Sequence, residues 1–512
     1  MSIFGISEIC KKICENVLMR EDEGRGDLVR LSHCSRAMSA TSCEVLWEVL
    51  DSVEPLLNLI PALEKRTVVT EEGIEEDVYD LTHPIGESDL RQFDSYAQHV
   101  RALRHQFTSG EIEAFSLLHQ HKGAALLPKL QSLDWCEGSL FDPIHQFTPR
   151  LAPFLSETLQ DLQIDLGRFP TPVYPTLDVH DDLAATLPSL PFRCPRVQRF
   201  HITGLPKAAS LSFLGGFKEL RELELDSSKD APSLTSETLL AISELPALVA
   251  LRGLKAFGSE MVDNTPKPGF LSLKDIKIVG ADATGIELFF RYLSNLTLHS
   301  CSILRLKLHK LMDIVACLGA ISTGSSSLLS LAIMIESGPP PGSETPSELA
   351  EARYAILRAL NQVPAPSLTS LDLSLQRTAA PSSLSLPPIT FEEAESMAAN
   401  WPALESFAYG STFPPFSLLS LSAFVLRCPS LAAVDIGSLV VQGGFTNPSR
   451  NQPTWSIDEI PRSSHLDRID VRNVITIPDD ADVDGRILLN TLKQVFSGRR
   501  EDSLSSLPQA VG

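Results

Sequence analysis

Cys10 and Cys14, one helical turn apart, together with the adjacent pair His33 and Cys34, are the first residues of this chain that could do chemistry. Three thiolates and an imidazole could hold a zinc ion, which takes N and S ligands in a tetrahedron. The two-plus-two spacing matches no zinc pattern, however, and small apolar residues of a helical core account for these cysteines better. His119-Gln-His121 places two histidines near each other with no carboxylate close in sequence, which reads as polar surface on a strand or loop. No Gly-x-x-x-x-Gly-Lys-Ser/Thr loop, His-Glu-x-x-His, Gly-x-Ser-x-Gly or Gly-x-Gly-x-x-Gly occurs, so phosphate cradles, zinc peptidase helices and nucleophile elbows are not indicated. A non-catalytic protein is expected, and neither a metal nor a cofactor is implied.

What positions side chains in this chain is a repeated phrase, Leu-x-x-Leu-x-Leu and close variants. It occurs as Leu130-Gln-Ser-Leu133-Asp-Trp135, Leu159-Gln-Asp-Leu162-Gln-Ile164, Val197-Gln-Arg-Phe200-His-Ile202, Leu220-Arg-Glu-Leu223-Glu-Leu225, Leu273-Lys-Asp-Ile276-Lys-Ile278 and Ile303-Leu-Arg-Leu306-Lys-Leu308. It continues from Leu328, Leu368, Leu404, Leu431 and Leu466. Side chains of a strand alternate with period 2, so the fourth and sixth positions share one face. One strand cannot bury that pair, whereas stacking the next copy beside it extends a parallel sheet and a continuous core. Segments with helical spacing lie between the phrases, at Ser236 to Leu245, Ser347 to Leu360, Phe391 to Asn400 and Ser417 to Leu426. The expected fold is an α/β solenoid: an irregular leucine-rich-repeat horseshoe with a parallel β-sheet on the concave face. Irregularity is expected because Leu248-Val-Ala-Leu251-Arg-Gly253 breaks the sixth position.

Composition narrows the partners. A formal charge of -21 argues against a nucleic-acid backbone or an anionic membrane, both of which attract basic surfaces. Nine scattered cysteines with no Cys-x-x-Cys suit a reducing compartment. Charges at Glu8, Lys11 and Lys12 interrupt any signal-like start, and no run approaches the ~20 apolar residues of a membrane span. Cytoplasm or nucleus is the expected location.

The first fifty residues differ in kind. Ile6, Ile9, Ile13 and Val17 recur at helical spacing after a possible Ser7 cap. Asp27 can begin a second helix bearing Leu28, Leu31 and Cys34, and a third, near Ser39, presents Val45, Leu46, Trp47, Val49 and Leu50. Three short helices expose much of their surface, so some of this apolar area wants a partner.

Ile6-Ser-Glu8-Ile9-Cys-Lys-Lys-Ile13, then Asp27-Leu28-Val-Arg-Leu31-Ser-His-Cys34-Ser-Arg36, then Leu46-Trp47-Glu-Val-Leu50, resembles an F-box: a Leu-Pro-x-Glu-Ile opening, an Asp-Leu-x-x-Leu middle and a Leu-Trp-x-x-Leu close. It departs from that pattern at Ser7, where the family usually has Pro, and in Arg36, which stands one residue later relative to Cys34 than in the family's Cys-Arg. Followed by leucine-rich repeats, the chain resembles the F-box/leucine-rich-repeat proteins numerous in mushroom-forming (basidiomycete) fungi. The resemblance implies the substrate-recognition subunit of an SCF-type cullin-RING ubiquitin ligase, with Ile6, Ile9, Ile13, Leu28, Leu31 and Trp47 facing the adaptor and the repeats holding a client protein. The alternative is a helical cap on a repeat scaffold that has no ligase.

The expected organisation is an F-box-like module at 1–50, a junction at 51–125, a solenoid at 126–500 and a disordered tail at 501–512. Within the junction, Thr67 to Val69 and Val78 to Leu81 suggest a hairpin with an acidic turn, and Asp89 to Arg104 a helix. On the exposed strand positions Glu222 and Glu224 are acidic while Lys277, Arg305 and Lys307 are basic, which suggests a client-binding face of two signs.

Overall fold

The structure is a computed structural model that describes residues 3–19, 24–69, 75–137, 150–166, 185–205, 209–225, 235–255, 269–291, 293, 297–322, 327–337, 345–363, 365–375, 388–410, 413–442 and 468–477. Of the proline-rich loop insertions expected at 337–346, 379–383 and 446–453, residues 338–344 and the latter two lie outside these residues, as does the tail at 501–512, while Ser337 ends a strand and Thr345 and Pro346 begin a helix. The chain divides into two compact units, one of residues 1–232 with 237–248 and one of 233–236 with 249–512.

In the first unit, helices α1 (Ile3–Leu18), α2 (Gly24–Ser32) and α3 (Arg36–Glu48) lead directly into strand β1 (Val49–Leu50). Ser35 caps α3 by accepting the N–H of Met38 at 3.2 Å, which starts this helix earlier than Ser39. A short helix α4 (Glu54–Leu57) is followed by an antiparallel hairpin of β2 (Leu63–Val69) and β3 (Glu75–Leu81), so part of the acidic run is strand. Helix α5 (Glu87–Ala97) stops well short of Arg104. The reason is that Val100-Arg-Ala-Leu103-Arg-His105 is another copy of the repeat phrase and forms β4 (Ala102–Phe107). Helix α6 (Ser109–Lys122) follows, capped by Thr108. It carries His119 and His121 in its last turn rather than on a strand or loop. Strands β5 (Ser132–Glu137), β6 (Asp161–Asp165), β7 (Arg199–Thr203) and β8 (Glu222–Leu225) then extend a parallel sheet in the order β1-β4-β5-β6-β7-β8.

The second unit continues in the same style. Strands β9 (Ala250–Lys255), β10 (Asp275–Val279), β11 (Ser300–Lys307), β12 (Ser330–Ser337), β13 (Ser370–Leu375) and β14 (Ser406–Tyr409) pair in sequence. β16 (Ala433–Gln442) pairs β14 and is flanked by β15 (Phe416–Ser417) and β17 (Arg468–Ile477), all in parallel. Helices Pro346–Asn361, Phe391–Ala399 and Leu418–Arg427 lie where the spacing predicts them, and so does Ser236–Ser243, nearly all of which belongs to the first unit. Both units are leucine-rich-repeat-like α/β solenoid arrays.

Three local rules build each repeat. The fourth and sixth positions are buried, as at Leu162 and Ile164, Leu223 and Leu225, and Leu371 and Leu373. The carbonyl at the second position accepts two N–H groups from the next strand: Gln160 O takes Gln198 N at 2.7 Å and Arg199 N at 2.9 Å, and Leu329 O takes Thr369 N at 2.8 Å and Ser370 N at 3.1 Å. A tight turn also precedes many of the phrases, in which a buried residue accepts the N–H three residues on. Leu127 O binds Leu130 N, Cys194 O Val197 N, Trp401 O Leu404 N and Cys428 O Leu431 N. Proline follows the accepting residue at Pro128, Pro195, Pro402 and Pro429, which suits the fixed φ of a turn's second position.

Two phrases sit differently from their sequence reading. Cys301 pairs Leu331 and Ile303 pairs Ile333, so the β11 copy runs Leu298-His-Ser-Cys301-Ser-Ile303 and not from Ile303. In β9, Gly253 (φ 77°) is an extra residue in a bulge: Arg252 pairs Lys277 and Leu254 pairs Ile278. Leu254 thereby takes the sixth place that Gly253 seemed to break, and both are buried.

Candidate functional site

The three N-terminal helices close a small core of Cys14, Leu28 and Val45, with Val17, Leu18, Leu31, Met38 and Leu46 packed against it. Gly24 lets α2 approach the end of α1, since a Cβ there would lie 2.6 Å from the Leu18 carbonyl oxygen. Lys11 crosses from α1 to Glu48 (3.3 Å) and Glu44 (3.6 Å) on α3. Burial works against its charge, but the two carboxylates outweigh burial and raise its pKa. Arg25 reaches Asp51 at 2.9 Å, tying α2 to the residue after β1.

The six residues expected to face an adaptor do not share one surface. Leu28 is 0% exposed and forms the module's own core, Leu31 is half-buried against that core, and Trp47 is half-buried and packs at a tilt of 34° against Tyr96 of α5 with ring centroids 4.7 Å apart. Ile9 and Ile13, one turn apart on α1, are 61% and 44% exposed. Ile6 lies on α1 but its side chain is outside the described residues. α1 therefore turns its cysteine side inward and its isoleucine side out. Of the proposed zinc set, Cys14 is buried and Cys34 exposed, donating to Arg30 O at 3.6 Å. Among the described residues no three His, Cys, Asp or Glu side chains form a metal-binding group.

The second candidate surface is the open face of the sheet, where the third and fifth positions of each phrase point away from the core. On β4 to β8 the fifth-position row is Arg104, Asp134, Gln163, His201, Glu224. Burial raises the pKa of Asp134, against the pull of Arg104 and His201. Asp161 accepts from Arg199 at 2.7 Å and Asp165 from Thr203 at 2.6 Å. Glu222 and Glu224 are half-buried, not fully exposed, and each has a partner. On β9 to β14 the same row reads Arg252, Lys277, Ser302, Ala332, Asp372, Ala408.

Arg305 and Lys307 follow the phrase of β11 and do not occupy its third and fifth positions. They lie beyond a bulge in which Arg305 takes φ 56°. The sequence misses this because Ile303-Leu-Arg-Leu306-Lys-Leu308 imitates the repeat, and aligning Leu298 to Leu328 would have found it.

No protein-family profile and no curated protein matches this chain. Among solved structures, the crystal structure of the Rad7 and Elc1 complex in yeast is similar at a TM-score of 0.36 and 14% identity, over 88% of this chain and 94% of that one. Likeness at that level fixes neither partner nor activity. Among the described residues no helix is long and apolar enough to cross a membrane.

Proposed function

We propose that this protein is the substrate-recognition subunit of an SCF-type cullin-RING ubiquitin ligase, its α1 docking the adaptor and its repeat sheet holding the client. The observation that carries the reading is Ile9 and Ile13. The module fills its core without them, so two large apolar side chains stand on the surface of a helix whose sequence resembles the F-box opening. In this reading Leu28, Leu31 and Trp47 support α1 from behind and do not meet the adaptor. The receptor itself is non-catalytic.

Co-precipitation of the full chain with adaptor and cullin tests the proposal. Wild type should capture both, and Ile9→Asp with Ile13→Asp should abolish capture while circular dichroism is unchanged, since an unpaired charge at an apolar interface is strongly unfavourable. Capture retained by the soluble double variant, or absent in wild type, removes the assignment.

One observation favours the second reading, a scaffold without a ligase. α3 passes into β1 with no linker, and β1 pairs β4 as the first strand of the sheet. A solenoid needs its end covered, and the helices satisfy that need whether or not an adaptor binds.

A further inference from the structure

Two bulges flank β10, and they have the same consequence. Side chains alternate between faces, so one inserted residue exchanges the faces of everything after it. In β9 the extra Gly253 turns Leu254 inward and leaves Arg252 and Lys255 on the open side. In β11 the ladder slips between Ile303 and Leu306, so that Ile303, Leu306 and Leu308 are buried while Arg305 is half-exposed and Lys307 exposed. Uninterrupted alternation from Ile303 would have buried Arg305 and Lys307 instead. Lys277, on the strand between, is paired in register with Arg252 and Ser302. Glycine serves the first bulge without strain, but the second holds an arginine at φ 56°, a region side chains rarely adopt. Strain of that sort marks places where the surroundings or the function demand it.

Two carboxylates near in sequence bind backbone N–H groups. Asp282 accepts the N–H of Gly285 at 2.7 Å, and Asp313 accepts those of His309 at 2.7 Å and Lys310 at 2.9 Å. Among the described residues Lys277, Arg305 and Lys307 have no ion-pair partner. Asp275, on the same face two residues before Lys277, is the one acid among them. Residues 249–310 contain nine Lys and Arg against five Asp and Glu, a net positive segment in a chain of net charge -21. Along the row the basic stretch is followed by Ser302 and Ala332, which keep the face low, and is bounded at Asp372.

We infer that the open face of β9 to β11 is a cationic platform for an acidic segment of a partner protein. The bulges aim the charges, the small side chains beside them give the segment room, and the acidity of the rest of the chain turns away a nucleic acid, whose long phosphate backbone would overrun the patch. The inference rests on the repeat face being the client-holding surface, and it names the client's chemistry. It concerns this chain alone, so it is read independently of adaptor capture.

Fluorescence anisotropy of a labelled oligoglutamate peptide titrated with the full chain provides the test, at low and at physiological salt. Wild type should bind with an affinity that falls as salt rises. Lys277→Glu with Lys307→Glu should weaken binding at least about tenfold and flatten the salt dependence, whereas Lys129→Glu, an exposed cation far from the platform in sequence, should change it by less than about twofold. Arg305→Gly, which suits the positive φ but lacks the guanidinium, should weaken binding with no loss of thermal stability. No binding by wild type, equal binding by all variants, or tighter binding of a single-stranded oligonucleotide of equal charge would each overturn the inference.

Discussion

The N-terminal helices and the strand stack are both built from regularly spaced apolar residues, yet the spacing determines the buried face in one and not in the other. In a strand only two faces exist, so once Leu223 is inward Leu225 is inward and Glu224 is not. On α1 two apolar stripes run side by side, Ile6-Ile9-Ile13 and Cys10-Cys14-Val17, and a 3.6-residue period does not choose between them. The helices it packs against choose, and they take the cysteine side. The comparison breaks most sharply at Leu28 and Ile13, which the sequence treats alike. Leu28→Asp should cost upward of ~5 kcal/mol, because it opens the module's core and buries a charge there. Ile13→Asp should stay within about 0.5 kcal/mol. Amide hydrogen exchange across α1 to α3 measures both, and comparable loss of protection in the two variants would show the isoleucine stripe to be the packed one.

The strand half of the comparison is tested at β8. Leu223→Ala should destabilise by roughly 2–5 kcal/mol and Glu224→Ala by less than about 1 kcal/mol in chemical unfolding. Similar values at these adjacent positions would mean that the period of 2 does not govern burial there.

Most of the sheet was legible from the phrase alone, from β5 at Leu133 to β17 at Leu466, because the fourth and sixth positions are filled by large apolar residues. The failures have separate causes. β4 was hidden since His105 stands where Leu or Ile is usual, in register with Trp135. β11 was displaced because Cys301 is a small fourth residue and a better-looking phrase follows it. Gly253 looked like a defect because a bulge keeps the core pattern while breaking the count. The turn before the strand, visible as Leu127-Pro, Cys194-Pro, Trp401-Pro and Cys428-Pro, would have corrected the phase of several copies. Of the six side chains the sequence singles out in the helical module, Ile9 and Ile13 are exposed while Leu28 is buried. Which face of α1 is free, and which of the cations on β11 lie outward, depend on packing partners far away in sequence.

His105 also shows what a polar residue in an inward position requires where the helical module joins the stack. Its Nε2 lies 2.9 Å from Glu111 Oε2 and its Nδ1 3.2 Å from the Asp51 carbonyl oxygen, so each ring nitrogen faces an acceptor. Glu111 also accepts the Thr108 N–H at 2.9 Å, closing the cap of α6. Burial pushes the Glu111 carboxyl up, but the bonds from His105 and Thr108 outweigh it and hold the pKa below the usual carboxylate range. A carboxylate depressed on folding stabilises the fold above its unfolded pKa, and that contribution is lost as pH falls through the folded value. Glu111→Gln should therefore cost about 1–3 kcal/mol near neutral pH, the range for hydrogen bonds to a charged group. The gap from wild type should narrow steadily below a pH of about 4. Thermal unfolding across that range decides the matter: a gap independent of pH would mean that Glu111 acts here through shape and cap geometry, and that its charge does not help bind the module to the first repeat.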